Sequence, residues 1–144
     1  MKARARAKRP GSRRTVTPSA LVAAARRARR RAYAPYSRYP VGAAVLAADG
    51  TVLTGANIEN ASYGLSMCAE RVAIFAAAAA GHRRVRAVAV ATGSPKPASP
   101  CGACRQVMVE FGVETVYLAG PRGPHREWRF RDLLPDAFTA ADLR

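Results

Sequence analysis

The sequence predicts a layered α/β fold, expected as a three-layer α/β/α sandwich around a mixed sheet of about five strands. Helix and strand signals alternate along the chain, the pattern of layered α/β domains. The length of 144 residues corresponds to one domain. A hydrophobic content of 49% matches a globular protein with a proper core.

Taken in order, Thr17-Pro18 reads as an N-cap followed by proline at the first helical position. Leu21, Ala24, Ala25, Ala28 and Ala32 then recur at helical spacing with arginines on the other face, and this helix is expected to end near Tyr33, before Pro35. Val41 to Ala47 is an apolar strand, Asp49-Gly50 a hairpin signal, and Val52 to Ala56 the returning strand. A loop from Asn57 to Met67 follows. From Cys68 a helix runs to Ala80, with Val72, Phe75, Ala76 and Ala79 as its apolar stripe and Gly81 as its stop. Val85 to Ala91 is a continuous apolar run, suited to a strand buried on both faces. Ser94 to Pro100, rich in Pro and Ser, is a loop. Cys101 starts another helix, with Cys104, Val107, Met108 and Phe111 on one face and Gly112 at its end. Val113 to Ala119 is the next strand and Arg122 to Pro124 a turn, after which the pattern assigns no element. There is no internal repeat, no heptad pattern and no phosphate-cradling glycine loop of standard spacing.

The net charge of +15 suggests nucleic acid until it is located. Residues 1–31 hold twelve Lys or Arg and no acidic residue, whereas residues 32–144 hold the other twelve against all nine acids, a net of +3. The excess belongs to a basic extension, residues 1–17, expected to be disordered, ahead of a domain over residues 18–144. Three readings of that extension stay open: a solvated tail or an upstream start, nonspecific contact with nucleic acid or another polyanion, and an organelle transit peptide. No apolar stretch follows the charges as in a secretory signal. The longest apolar run, Val72 to Ala80, is far short of the ~20 residues that span a bilayer. A cytoplasmic protein is expected, without a membrane partner.

All three cysteines fall in two short motifs at expected helix starts, Cys68-Ala69-Glu70 and Pro100-Cys101-Gly102-Ala103-Cys104. An odd number of cysteines cannot form a complete disulfide framework, and metal binding is the better use for them. Unpaired N–H groups and the positive dipole end of a helix favour thiolates there, and the i, i+3 spacing of Cys101 and Cys104 puts both sulfurs on one helix face. Three thiolates supply three corners of a zinc tetrahedron, and the open fourth corner distinguishes a catalytic site from a structural one. Glu70, two residues after Cys68, can reach a water at that corner without ligating the metal, and would move protons for it.

With their flanking residues these motifs make the chain resemble the zinc-dependent cytidine deaminases, in particular the small homotetrameric ones. The resemblance spans about residues 20–140 and is carried by Ala34-Pro35-Tyr36-Ser37, Val41-Gly42-Ala43-Ala44, Asn57-Ile58-Glu59-Asn60, Cys68-Ala69-Glu70-Arg71, Pro100-Cys101-Gly102-Ala103-Cys104-Arg105-Gln106, and Leu133-Leu134-Pro135 with Phe138. The signature, with its three-cysteine variant, is that of the zinc nucleobase deaminases. The resemblance implies one Zn²⁺ per subunit on Cys68, Cys101 and Cys104. By the same resemblance an activated water would add to C4 of cytosine, Glu70 would protonate N3, and ammonia would leave. It further implies that Asn57 and Glu59 bind the ribose, above all its 3′-hydroxyl, and that backbone groups at Ala69 and Cys101 read the base. Arg71 would draw charge from the sulfurs, since three thiolates leave the zinc site at net −1. Phe138 would stack on the base in a neighbouring subunit, so that a homotetramer shares its active sites. Tyr39 stands where the family often has phenylalanine lining the pocket.

The expected function is hydrolytic deamination of cytidine and 2′-deoxycytidine in pyrimidine salvage. One alternative is a deaminase of a nucleoside antibiotic such as blasticidin S, against which the Asn57 to Asn60 ribose pattern argues. A polynucleotide-editing enzyme fits less well, because a neighbour's Phe138 would obstruct a strand. A non-catalytic zinc-binding nucleic-acid module is the alternative of another class. A structural zinc would need a fourth ligand, and His82 and His125 have no zinc-knuckle spacing.

Overall fold

The sheet is organised around the alternation of valine and alanine in β3 (Val85–Thr92), which is buried along nearly its whole length. Val88 and Val90 face one side, where they pack with Ile74, Cys104 and Met108; Ala87, Ala89 and Ala91 face the other, against Leu21, Val22 and Ala25. In the computed structural model, which describes residues 15–144, five strands lie in the order β2-β1-β3-β4-β5. The other strands are β1 (Val41–Ala47), β2 (Val52–Ala56), β4 (Thr115–Ala119) and β5 (His125–Arg129). β3 and β4 are parallel and all other pairs antiparallel, so the sheet is mixed.

Helix α1 (Pro18–Ala28) covers the alanine face; α2 (Ala69–Ala79) and α3 (Gly102–Glu110) cover the valine face, completing three layers. The small side chains between α1 and the sheet permit a close approach, which Gly42 carries to its limit: a Cβ there would collide with the backbone of Ala25 and Arg29. Gly55 does the same on the opposite face. An added Cβ would lie 2.5 Å from the Ala73 nitrogen and 2.8 Å from the Ala69 carbonyl oxygen. That contact seats β2 against the first turns of α2, the stretch that carries Glu70.

Most of the disordered extension expected over residues 1–17 lies outside the described residues. Its last two residues belong to the fold: Val16 packs against the α1 core, and Thr17 caps α1 by accepting a hydrogen bond at Oγ1 from the Ala20 amide at 3.1 Å. No helix among the described residues is long and apolar enough to cross a membrane.

Three elements differ from the sequence expectation. α1 ends at Ala28 and tightens into a 3₁₀ turn over Arg29–Arg31. Tyr33, expected near the helix end, instead exchanges backbone hydrogen bonds with Asn57 and Glu59, at 2.9 and 2.8 Å, forcing the chain out of the helix at Ala32. The buried face of α2 is Ala69, Glu70, Ala73, Ile74 and Ala77. The expected stripe points outward instead: Val72 is only half-buried, Ala76 and Ala79 are exposed, and Phe75 is 44% exposed. Finally β5, which the pattern left unassigned, pairs with β4 as the sheet edge. Its charged sequence His-Arg-Glu-Trp-Arg suits an edge strand, which charge protects from further pairing. The C-terminal segment continues through a short helix, α4 (Phe130–Leu133), and a 3₁₀ turn at Ala140–Leu143.

Replacing Gly55 by alanine should cost about 2–3 kcal/mol, the usual range for forcing a methyl into a filled backbone contact. Thermal unfolding measures this directly; an unchanged midpoint would mean that α2 can move away freely.

Candidate active site

Both cysteine motifs sit at helix N-termini, as expected, but one residue earlier than the helices themselves. Cys68 is the N-cap of α2 and Cys101 the N-cap of α3, and neither side chain caps its helix. Cys104 lies inside the first turn of α3 and is fully buried. The two helices leave the sheet side by side, so residues 33 positions apart in sequence bring their sulfurs to 3.8 Å.

The donor set fits zinc. Tetrahedral zinc with Zn–S bonds of about 2.3 Å requires sulfurs about 3.8 Å apart. The Cys68–Cys101 separation has that value, and all three Sγ atoms lie within 4.8 Å of one another. No histidine or acid joins the group among the described residues. His82 Nδ1 lies 3.5 Å from the Asp49 carboxylate, and the His125 ring packs edge-on against Tyr117. Three ligands and no fourth describe an open metal site.

The charges around the sulfurs are arranged accordingly. Without metal, the Cys68 thiol is pulled down to about 5, first by the hydrogen bond from the Cys104 thiol and further by Arg71 and Cys101. Cys104 moves up, because it is the donor to Cys68 and because it is buried. Arg71 Nη2 points at Cys68 Sγ from 3.5 Å. Its Nε is the one buried side-chain nitrogen or oxygen without a partner among the described residues. A guanidinium facing sulfur with an unused buried donor suits a site that concentrates negative charge.

Glu70 follows in the first turn of α2 and is 5% exposed. Burial pushes its carboxyl up to about 7, and the negative charge of Cys68 adds to the rise while Arg71 opposes it. A carboxyl poised near neutrality can both take and give a proton at working pH. Glu70 opens into a cleft of about 260 Å³ lined by Ser37, Tyr39, Asn57, Cys68, Ala69 and Cys101, and closed by Val41, Val90, Thr92, Ala98 and Ser99. Its position, beyond the C-terminal end of β3 where the chain enters α3, is the usual place for a ligand in an α/β sheet.

The cleft unites Cys68, Glu70, Cys101, Ala69, Asn57 and Tyr39 from the sequence analysis, with Cys104 behind them. Asn57 has work within the fold: its Oδ1 accepts from the Val41 amide at 2.8 Å and its Nδ2 donates to the Tyr39 carbonyl at 2.9 Å. One amide hydrogen remains for another partner. Glu59 does not line this cleft. Its Oε1 accepts from the Tyr36 and Ser37 amides at 3.0 and 3.1 Å, and hydrogen bonding from Ser37 holds its carboxyl below the ordinary value. Glu59 thus fixes the loop that presents Ser37 and Tyr39. Between those two residues Arg38 adopts a left-handed conformation, φ 55°, a mildly costly state for a residue other than glycine. Phe138 is outside the cleft and 57% exposed.

Sequence reasoning passed over Ser37, Thr92 and Ser99 as cleft residues, and Arg105 as a support. Arg105 donates to the Pro100 carbonyl at 2.8 Å, the Ser99 hydroxyl at 2.8 Å and the Leu133 carbonyl at 2.6 Å. Thr92 turns the chain out of β3 by accepting from the Ser94 amide at 3.3 Å. Of these, Ser37 was read with Tyr36 as structural and so left out of the site, and Arg105 stood in a quoted motif without a role of its own.

The chain is similar to known proteins. Residues 16–120 match the family described as the cytidine and deoxycytidylate deaminase zinc-binding region. A cytidine deaminase of Halalkalibacterium halodurans is 53% identical over 125 residues, covering 85% of this chain and 95% of that protein. One from Mycobacterium tuberculosis is 47% identical over 112 residues, covering 78% of this chain and 82% of the other. The crystal structure of a cytidine deaminase from Burkholderia pseudomallei superposes with a TM-score of 0.81 at 52% identity, over 85% of this chain and 99% of its own.

Proposed function

Because the chain belongs to the cytidine and deoxycytidylate deaminase family, we propose that it hydrolyses cytidine and 2′-deoxycytidine to uridine and 2′-deoxyuridine, releasing ammonia. The observation that carries this reading is a cluster of three sulfurs within 4.8 Å of one another, two of them 3.8 Å apart, beside a cleft lined by a buried carboxyl.

Cys68, Cys101 and Cys104 hold one zinc ion, which when bound supplies the Lewis acidity that makes water nucleophilic at neutral pH. Glu70 takes the proton of the attacking water and delivers it to N3 of the cytosine ring. It then carries the second proton to the departing 4-amino group, so that water and cytidine balance to uridine, with its C4 carbonyl and N3–H, and ammonia. Its burial keeps its proton affinity in the range where both transfers are feasible. Backbone groups of Ala69 and Cys101 orient the base. The remaining Asn57 amide hydrogen meets the ribose 3′-hydroxyl, and Tyr39 walls the sugar side. Glu59 contributes to the sugar site with its second carboxylate oxygen or through the loop it fixes. Arg71 offsets the thiolate charge, keeping the metal electrophilic.

The exposed Phe138 belongs, in this reading, to the site of a neighbouring subunit in a homotetramer. The exposed outer face of α2, with Phe75, Ala76 and Ala79, and the exposed Tyr63 and Leu65 supply apolar surface for such an assembly. We place the enzyme in the cytoplasm, in pyrimidine salvage, where a reducing environment preserves a metal site of free thiols.

Purified zinc-loaded protein should convert cytidine and deoxycytidine, followed by the loss of cytosine absorbance, and leave blasticidin S unchanged. The Glu70→Gln variant should retain its zinc and lose roughly 10²–10⁴-fold in turnover, the usual weight of general acid–base catalysis. Turnover close to wild type would remove Glu70 from the reaction. Phe138→Ala should raise KM roughly 5- to 150-fold if the ring stacks on the base; light scattering that found an active monomer would contradict the shared site.

A further inference from the structure

Two adjacent side chains of α3, directly after Cys104, reach the C-terminal segment. Arg105 is half-buried, and its guanidinium joins three places at once: the Pro100 carbonyl and the Ser99 hydroxyl, which immediately precede Cys101, and the Leu133 carbonyl at the end of α4. Gln106 Nε2 donates to the Phe138 carbonyl at 2.8 Å. The span from Leu133 to Phe138 is therefore tied at both ends to the first turn of the helix that carries two of the three sulfurs. Within it the backbone has little other support: the Leu134 amide reaches the Phe130 carbonyl at a long 3.3 Å, and the next hydrogen bonds are those of the capping box at Thr139.

We propose that Arg105 and Gln106 are positioning residues that couple closure of the cysteine cluster to the seating of the segment Leu133–Phe138. The inference rests on the reading that Cys68, Cys101 and Cys104 hold zinc. Arg105 fixes the Ser99–Pro100 peptide, which sets where the N-cap Cys101 places its sulfur. Cys101 is the exposed ligand, at the N-cap of α3 directly after the Ser99–Pro100 peptide, and so has more freedom to stray from the tetrahedral position than the buried Cys104. A metal that holds Cys101 at its 3.8 Å separation from Cys68 also fixes Ser99 and Pro100. The same guanidinium then presents its third donor to Leu133 in a single geometry. The coupling is reciprocal: whatever orders the C-terminal segment also tightens the metal site. Only a planar fork can meet three divergent acceptors together, and a lysine ammonium on its flexible stem cannot.

The test uses the full-length protein with hydrogen exchange of the peptides covering residues 130–144, with and without Zn²⁺, and chelator competition for zinc affinity. In the wild type, zinc should slow exchange in these peptides about tenfold or more, an opening-energy change within the ordinary range of allosteric coupling. Arg105→Lys and Arg105→Met should each weaken zinc binding by roughly 10–100-fold, as changes to groups that support metal ligands do, and should abolish the zinc-dependent slowing. Gln106→Leu, which leaves the Cys101 loop intact, should mainly free the end of the segment near Phe138. Zinc affinity within twofold of wild type in Arg105→Lys, or exchange of these peptides that ignores zinc in the wild type, would overturn the coupling. Failure of the wild type to bind one zinc per chain would overturn the metal reading itself, and the two failures are distinct. If Arg105→Met does not fold, the lysine variant decides.

Discussion

Three sulfurs must be held about 3.8 Å apart before any metal draws them together, and most of the molecule serves that spacing. Two come from N-cap positions and one from the first helical turn, places where the amides point towards negative charge. The helices bearing them can lie side by side only because both pack on the valine face of one sheet. Gly55, by omitting a side chain, lets the β2 backbone press against α2 at Ala69 and Ala73. The position of Cys68 is thus fixed from below by the sheet, and that of Cys101 from the side by Arg105.

The same economy marks the loops beside the cleft. Asn57 joins the end of β2 to the start of β1 through Val41 and Tyr39, and Glu59 fastens Tyr36 and Ser37. These side chains are therefore preorganised by contacts the protein makes with itself, so little ordering remains to be done when a ligand arrives. The loop carries a left-handed Arg38 between two cleft residues, a strain that four hydrogen bonds to Asn57 and Glu59 offset. Arg71 plays the matching part at the metal, with one donor on Cys68 and another still unpaired.

Much of this was legible in the sequence, and the exceptions have physical causes. Cys68, Glu70, Cys101 and Cys104 stood out because thiols and a carboxyl at those spacings have few structural uses. Four strands were visible as apolar runs. The buried face of α2 was misjudged because the segment is almost uniformly apolar, AERVAIFAAAA, and with so little contrast periodicity favours the larger Phe75 over Ala73 and Ala77. Glu70 itself lies on the buried face, which no hydropathy pattern would have chosen. β5 escaped because an edge strand buries few side chains, and His125, Arg126, Glu127 and Arg129 offer no apolar pattern to assign. The partners of Arg105 could not be read at all, since two of its three acceptors are main-chain carbonyls, and one of those lies 28 residues away.

The central claim is an open zinc site of three sulfurs that leaves a corner free for chemistry. Zinc-edge X-ray absorption on the purified, metal-loaded protein tests it most directly. The account predicts three sulfur neighbours at about 2.3 Å and a single light neighbour at about 2.0–2.2 Å, with one zinc per chain. Four protein ligands closing the shell, two sulfurs or fewer, or a chain that takes up no zinc would contradict it.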